Sequence, residues 1–328
     1  SGLYQVYSVT FGLYPQPIET PIKSLRPARE TCEKCHWPEK FYAQKSRLEK
    51  HYLTDEGSTG WDINLNMKIG SAHSALGLIE GIHWHINPDI LIEYIPGESH
   101  DAEINWVRTT NIKTGEVTLF ENQTNPLNQN VIDSIPKQVM DCMDCHNRPS
   151  HRYASPPSFI DNAITSGSIP QNIPWIKLAS IEATRFETSS NDSAQILISK
   201  NLMDYYSNNY PEVLTEHQEG IKQAIAGLQK AYSQNVFPYM KVTSSVYPDH
   251  IGHKETLGCF RCHSENHVSA SGKTISKDCN LCHVIKAQGV PGNIQAVSVF
   301  DTLEFVHPVD IENAWVEMAC SDCHSALY

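Results

Sequence analysis

Short runs of apolar residues in the first half of the chain predict β-strands. Three such runs, rich in Val, Ile, Leu and aromatic residues, stand at residues 90–95, 104–108 and 117–120. Residues 111–115, between the last two runs, are mostly polar and end in Gly115, which is typical of a hairpin turn. The pattern predicts a small β-hairpin region. Residues 81–86 also alternate, and we interpret them as a strand with His83 and His85 on one face.

Helical periodicity appears only in the second half, after a break at Ser155-Pro156-Pro157. Residues 194–208 are one candidate helix, ended by Tyr210-Pro211. Residues 216–234 are a stronger candidate, because Ile221, Ile225, Leu228 and Tyr232 recur on one face. Such a stripe is most simply explained by core packing. From Val246 onward the chain is rich in Gly, His and Ser and has little periodicity.

The composition is that of a folded protein, with 40 % hydrophobic and 19 % charged residues in 328. No run approaches the ~20 apolar residues that cross a bilayer, so we expect no membrane span in this chain. The net charge of −12 argues against a nucleic acid partner. The N-terminal residues contain neither an initiator Met nor a secretion signal, so we expect that a preceding segment was removed.

All ten cysteines belong to five C-x-x-C-H pentapeptides, whereas composition alone would give about 0.015 such motifs. We number the motifs one to five along the chain. Their cysteines are Cys32 and Cys35, Cys142 and Cys145, Cys259 and Cys262, Cys279 and Cys282, and Cys320 and Cys323.

C-x-x-C-H is the pattern of c-type haem attachment. Two thiols about one helical turn apart each bond to a haem vinyl group, and the adjacent His binds the iron from the proximal side. A redox disulfide or half of a zinc site also uses C-x-x-C, but neither requires His after the second Cys. The sequence therefore predicts five covalent haems, with the proximal ligands His36, His146, His263, His283 and His324.

Eleven of the sixteen histidines lie outside the motifs, which is more than the five needed as distal ligands. This surplus predicts bis-histidine ligation and low reduction potentials, because Met ligands would raise the potential. The candidate distal ligands are His83, His85, His151, His253, His267 and His307. His83 and His85 would serve two neighbouring haems. We interpret His100, His217 and His250 as ordinary surface residues and leave His51 and His73 undecided.

The motif spacing suggests three regions. Residues 1–130 hold the first motif and the β-ribbon, residues 131–245 the second motif and the helices, and residues 246–328 the last three motifs. The expected fold class is mostly irregular and α-helical with a small β-hairpin region. We expect one elongated multihaem cytochrome organised around five haems, in which porphyrin faces replace much of the apolar core.

Several segments together resemble multihaem cytochromes of the NapC/NirT type. They are residues 25–38, 81–85, 142–151, 237–242 and 251–253. The resemblance implies electron transfer in the periplasm or at the cell surface through bis-His haems. Members of this type carry a membrane anchor and further haem motifs ahead of the matching segment, and the quinol site belongs to that anchored part. No counterpart is present in these 328 residues, which puts direct quinol oxidation in doubt.

Two functions remain open. The first is electron transfer without enzymatic activity, as a subunit of an extracellular cytochrome filament or as a soluble periplasmic relay, with copies of itself or other redox proteins as partners. The second is a multihaem reductase of nitrite, hydroxylamine or a similar small substrate, which would need an open iron position. Five-haem nitrite reductases carry one motif that ends in Lys, whereas all five motifs here end in His.

Overall fold

The computed structural model describes residues 2–18, 31–36, 44–70, 81–99, 102–148 and 150–325. The chain divides into two compact units that are both discontinuous in sequence. The helical unit comprises residues 1–25, 52–59 and 153–247, and the sheet unit comprises residues 26–51, 60–152 and 248–328. All five C-x-x-C-H motifs belong to the sheet unit. This division cuts across the three regions expected from motif spacing.

The helical unit is built from α-helices with a closely packed aliphatic core. Its helices are Gly2–Thr10, Pro156–Thr165, Ile176–Ala183, Asn191–Asn209, Pro211–Glu216 and Gln218–Asn235, followed by a 3-10 turn at Pro238–Met240. Ser155 and Ser190 cap two of these helices by accepting backbone N–H bonds. Ile221, Leu228 and Tyr232 are buried, so the predicted stripe does pack into the core.

The sheet unit contains two antiparallel sheets. The described strands, β1 to β9 in chain order, are Lys45–Tyr52, Gly60–Met67, Ile90–Ile95, Trp106–Asn111, Val117–Asn122, Gln138–Val139, His267–Ser269, His283–Val290 and Asn293–Ala296. One sheet has four strands in the order β1-β2-β8-β9, and the other has five in the order β6-β3-β4-β5-β7. The short helices are Gln129–Ser134, Cys142–Cys145, Ala314–Glu317 and Cys320–His324, and the 3-10 turns are Ile82–Ile86, Gly258–Arg261 and Cys279–Leu281.

The predicted hairpin forms the centre of the five-stranded sheet. Ile90 pairs with Asn111 and Ile95 with Trp106, and Gly115 in the following turn has φ +73°. Ile92, Tyr94 and Val107 are buried in one cluster, while Ile95 and Trp106 are buried in another. Strand β3 is therefore covered on both faces. The β structure is larger than the small hairpin region that we expected, because β8 and β9 form a hairpin of their own.

None of the helices in the described part of the chain combines the length and the apolar character needed to cross a bilayer.

Candidate haem sites

The attachment motifs fold as single turns that bring their two cysteines to one side. The backbone N–H of His36 donates to Cys32 O at 2.8 Å. In the same way His146 donates to Cys142 O at 2.8 Å, and His263 donates to Cys259 O at 3.1 Å. Residues three apart in such a turn lie on one face. Such turns would hold one haem by the two thiols, and the next residue, His, would supply a ligand to its iron.

Acidic residues in and beside the motifs stabilise these turns. Asp141 caps the second motif by accepting from the N–H of Met143 at 2.7 Å, and Asp144 accepts from Asp141 N at 2.5 Å. This reciprocal pair is a capping box. Asp322 accepts from Ala319 N at 2.9 Å in the fifth motif, and Asp278 accepts from Asn280 N at 2.9 Å in the fourth. The short turns thus have their otherwise unpaired N–H groups satisfied from within.

Within the described ranges, four of the five motif histidines face a second histidine ring from elsewhere in the sheet unit. The ring centroids are 5.7–6.4 Å apart. The pairs are His146 with His83, His263 with His85, His283 with His253, and His324 with His307. Each pair joins a predicted proximal ligand to a predicted distal one.

The separation within the pairs fits an iron between the two rings. An imidazole nitrogen binds a transition metal at about 2 Å, so two rings on opposite sides of one ion have centroids about 6 Å apart. The donor chemistry also fits, because two imidazoles and two nearby thiols are what a c-type haem uses. The four distal candidates involved are His83, His85, His253 and His307.

Burial favours the neutral form, which metal binding requires, for six of the eight paired rings. Burial lowers the pKa of six of them, to about 4 for three. The three at about 4 are His83, His283 and His324, and the other three are His85, His253 and His263. Neighbouring rings add to the effect of burial, as His146 does for His83. Neutral rings keep a lone pair for iron.

Backbone carbonyls select the tautomer of several rings. The Nδ1 of His85 lies 2.7 Å from Ile82 O, and the Nδ1 of His263 lies 2.8 Å from Ser276 O. Because a carbonyl only accepts, the proton must sit on Nδ1. The lone pair is then on Nε2, which is the nitrogen left for the metal. Such outer contacts also fix the ring orientation.

The prediction of a strand at residues 81–86 is wrong, because Ile82–Ile86 is a 3-10 helix. Gly81 begins it with φ 114°, a conformation open to glycine, and an added Cβ would lie 2.7 Å from Lys68 O. Successive side chains in a 3-10 helix turn by about 120°. His83 and His85 therefore point in different directions instead of sharing a face. This divergence lets one short segment reach two motif histidines, His146 and His263.

Electrostatic contacts between cysteines show which motifs are neighbours. Burial and then the adjacent Cys259 raise the pKa of the Cys145 thiol to about 12, which places the second motif beside the third. Burial and then Cys259 likewise raise the pKa of Cys282 to about 11, which places the third beside the fourth. These contacts therefore place the second, third and fourth motifs next to one another.

The outer motifs continue the same order. The pKa of Cys142 is raised by burial, by Asp141 and by Cys32 of the first motif. The pKa of Cys320, in the fifth motif, is raised by burial and by Cys279 of the fourth. The motifs are therefore neighbours in the order one to five. Cys35 and Cys323, at the two ends of this order, are exposed, and so is Cys279 of the fourth motif.

His267 lies in a protein environment that does not favour a ligand. It is fully buried in β7, its Nε2 donates to Ile104 O, and its Nδ1 lies 3.4 Å from Ser264 Oγ. Both ring nitrogens are thus occupied by protein atoms. This geometry does not support the prediction that His267 is a distal ligand.

Replacing His267 by leucine is expected to destabilise the fold while leaving the haem spectrum unchanged. The variant leaves the buried Ile104 carbonyl without its donor, which costs about 1–3 kcal/mol. Urea unfolding followed by circular dichroism measures the loss, and the visible spectrum measures ligation. New CO binding in the His267→Leu protein would contradict this assignment and restore His267 as a ligand.

The remaining histidines have different outcomes. His151 is exposed, and its role as a distal ligand stays a prediction. The distal ligand of the first haem, opposite His36, also stays a prediction. His73 and His100 lie outside the described residues. His51 lies with its Nδ1 3.1 Å from Lys254 Nζ.

The interpretation of His250 as a surface residue is wrong. It is 8 % exposed, and its Nδ1 donates to Asp144 O at 2.8 Å. Arg261 Nη2 donates to the same carbonyl at 3.1 Å. His250 and Arg261 therefore hold the second attachment loop by its main chain. No local pattern marks either residue for this role, because both contacts join segments more than a hundred residues apart.

Comparison with known proteins agrees with this chemistry. The chain is 42 % identical over 330 residues to the Cytochrome c-type protein ImcH of Geobacter sulfurreducens. The similarity supports a c-type cytochrome. The match covers 99 % of this chain and 63 % of that protein, so the chain spans less than two thirds of the relative's length. No family model and no solved structure matches the chain. A c-type cytochrome carries covalently bound haem and transfers electrons.

Proposed function

We propose that the chain conducts electrons through five covalently bound, low-potential haems, each with two histidine ligands. The observation that carries the proposal is the set of four facing histidine pairs, each of which includes one motif histidine. Bound haem iron supplies reversible one-electron chemistry between its ferric and ferrous forms. The protein's part would be to attach each group through two cysteines and to hold its iron with two histidines.

The paired histidines favour electron transfer over reduction of a small substrate. A reductase needs an iron position open to substrate, lined by groups that donate protons. At four motifs a second imidazole occupies the place that substrate would take. A reductase of nitrite or hydroxylamine therefore remains the weaker candidate. Within the described part of the chain, the first motif is the one without a facing histidine ring, so it is where such a site would be sought. We propose that the chain is not an enzyme.

The order of the motifs supports a continuous path. The attachment loops are neighbours from the first motif to the fifth, and one 3-10 helix supplies facing histidines to the second and third. Exposed cysteines in the first and fifth motifs, and Cys279 in the fourth, would make both ends of this path and its fourth motif accessible to partners. We propose that electrons enter at one end and leave at the other.

The partners proposed for these ends are other redox proteins or further copies of the chain. Periplasmic or cell-surface localisation accords with covalent haem attachment and with the resemblance to the NapC/NirT type. Copies joined end to end would form an extracellular filament, whereas a discrete molecule would act as a soluble relay. Electron microscopy of the concentrated holoprotein distinguishes these forms, since a field of single particles alone would exclude the filament.

Carbon monoxide tests the main proposal. The dithionite-reduced holoprotein is expected to keep its spectrum when CO is added, because CO needs a vacant axial position. Intact-protein mass spectrometry is expected to give the mass of the chain plus five haems. Substantial CO binding by the unaltered protein would overturn full bis-histidine ligation and favour the reductase. A mass that corresponds to fewer than five haems would shorten the proposed electron-transfer path.

A further inference from the structure

The four histidine pairs differ in what fixes the rotation of their rings. At the third motif both rings are anchored by hydrogen bonds, from His85 to Ile82 O and from His263 to Ser276 O. At the fifth motif the Nδ1 of His307 lies 2.7 Å from Val309 O, the shorter of its two contacts with that residue. A hydrogen bond of this kind sets both the tautomer and the plane of the imidazole.

The pair at the fourth motif is fixed differently. The Nδ1 atoms of His253 and His283 are buried, and among the described residues neither has a hydrogen-bond acceptor beyond, for His253, its own main chain. Instead, the ring of Phe260 lies against the ring of His253, with centroids 4.3 Å apart and planes at 13°. This is close, nearly parallel stacking between two rings of similar width.

Phe260 is itself held firmly, because it belongs to the third attachment motif. Its N–H donates to Leu257 O at 2.7 Å, within the 3-10 turn Gly258–Arg261. Gly258 starts this turn with φ +46°, and an added Cβ there would collide with Gly252 O. Arg261 ties the turn to Asp144 O at 3.1 Å. A side chain of one haem-attachment loop thus rests on the predicted distal ligand of the next.

We propose that Phe260 is a positioning residue for the fourth haem, whose stacking on His253 sets the plane of that ligand in place of a hydrogen bond. The inference rests on the proposed ligation of that haem by His253 and His283. With Phe260 stacked on His253, the planes of His253 and His283 are nearly parallel, at 15°, whereas the planes at the third motif are at 72°. The angle between axial imidazoles governs the electron paramagnetic resonance of low-spin ferric haem. Nearly parallel planes give a rhombic signal, and nearly perpendicular planes give one with a single large g value.

The same difference in hydrogen bonding predicts which of the third and fourth haems has the lower reduction potential. A hydrogen bond from Nδ1–H to a carbonyl makes the imidazole a stronger electron donor and favours ferric iron, which lowers the potential. Both proposed ligands have this bond at the third motif, and at the fourth neither has it to another of the described residues. The fourth haem is therefore less reducing than the third.

Substitution of Phe260 tests the positioning role in the oxidised holoprotein. Phe260→Leu removes the stacked ring and is expected to move one rhombic signal toward a larger g value, with a shift in the midpoint potential of that haem. Phe260→Tyr keeps the ring and is expected to restore the original signal. Phe305→Leu is the matched control, because Phe305 meets His307 edge-on at 6.3 Å and that ligand has its own hydrogen bond. It is expected to leave the signals unchanged.

The outcomes separate this inference from the proposed function. If Phe260→Leu keeps all haems low-spin and leaves every signal and potential as in the unaltered protein, Phe260 has no positioning role, although electron transfer through bis-His haems stands. If the unaltered holoprotein binds CO substantially, the proposed function fails first. Should Phe260→Leu not fold, the spectrum of the unaltered oxidised holoprotein still tests the ring geometry on which the positioning role depends. His253→Met must then remove a rhombic signal, and loss of a large-g signal instead overturns the inference.

Discussion

Replacement of His83 by alanine is expected to make about one fifth of the haem in the reduced protein bind CO. His83 faces His146 at a centroid distance of 6.4 Å, and burial lowers its pKa to about 4, as expected for a neutral ligand. Alanine cannot reach the iron, so the second haem becomes five-coordinate and accepts CO. The CO difference spectrum, normalised to total haem, measures the fraction directly.

Two further variants sharpen this experiment. His83→Met supplies a different axial ligand, so we expect no CO binding and a higher potential for that one haem. His217→Ala is the matched control, because His217 lies in the helical unit between two helices and faces no motif histidine among the described ring contacts. If His83→Ala binds no more CO than His217→Ala does, another residue must ligate the second haem.

The central hairpin could be predicted from sequence because its information is local. Residues 90–95 were predicted and observed as a strand with the same bounds, since the apolar run, the turn residues and the register all act within about thirty residues. The next strand begins at Trp106 and not at Ile104, because Ile104 N donates to Arg261 O in a distant segment. The observed start of this strand therefore differs from the predicted one because a tertiary contact binds the backbone of Ile104.

The segment 82–86 shows why periodicity can mislead. Its alternation suits a strand, yet five residues fit a 3-10 helix equally well, and the choice depends on the glycine before it and on where two histidines must point. The β8–β9 hairpin was missed for another reason. Pro291-Gly292 is a turn signal between two apolar runs. The prediction of little periodicity from Val246 onward therefore overlooked this turn.

Which histidines are candidate ligands was more predictable than how their rings pair. The motif count and the histidine surplus gave a set of candidates that includes the four facing histidines. Sequence distance gave no guide to partners: His253 lies six residues before the third motif, yet its ring faces His283 of the fourth. Pairing depends on how the turns pack, which local pattern does not contain. The contacts of His250 with Asp144 and of Phe260 with His253 could not be predicted, for the same reason.

The aliphatic core of the helical unit contains a buried ion pair, which the amino-acid composition does not reveal. Lys177 and Asp161 have side chains that are 3 % and 7 % exposed, and Nζ lies 2.5 Å from Oδ1. Nζ also donates to Pro157 O at 2.7 Å, and Asp161 Oδ1 accepts from Tyr52 N at 3.2 Å. The pair therefore ties the helix Pro156–Thr165 both to the helix Ile176–Ala183 and to the chain at Tyr52.

Replacing Lys177 by methionine is expected to destabilise the protein by about 3–5 kcal/mol, because it leaves the buried Asp161 carboxylate without a counterion. Urea unfolding followed by far-ultraviolet circular dichroism measures this loss. The double variant Lys177→Met with Asp161→Leu is expected to recover most of it, since a well-packed apolar pair often matches a buried ion pair. Lys200→Met is the control, because the Lys200–Asp204 pair is exposed and such pairs contribute about 0.3–0.5 kcal/mol. Equal stability losses in Lys177→Met and Lys200→Met would show that the buried pair does not hold the helices together.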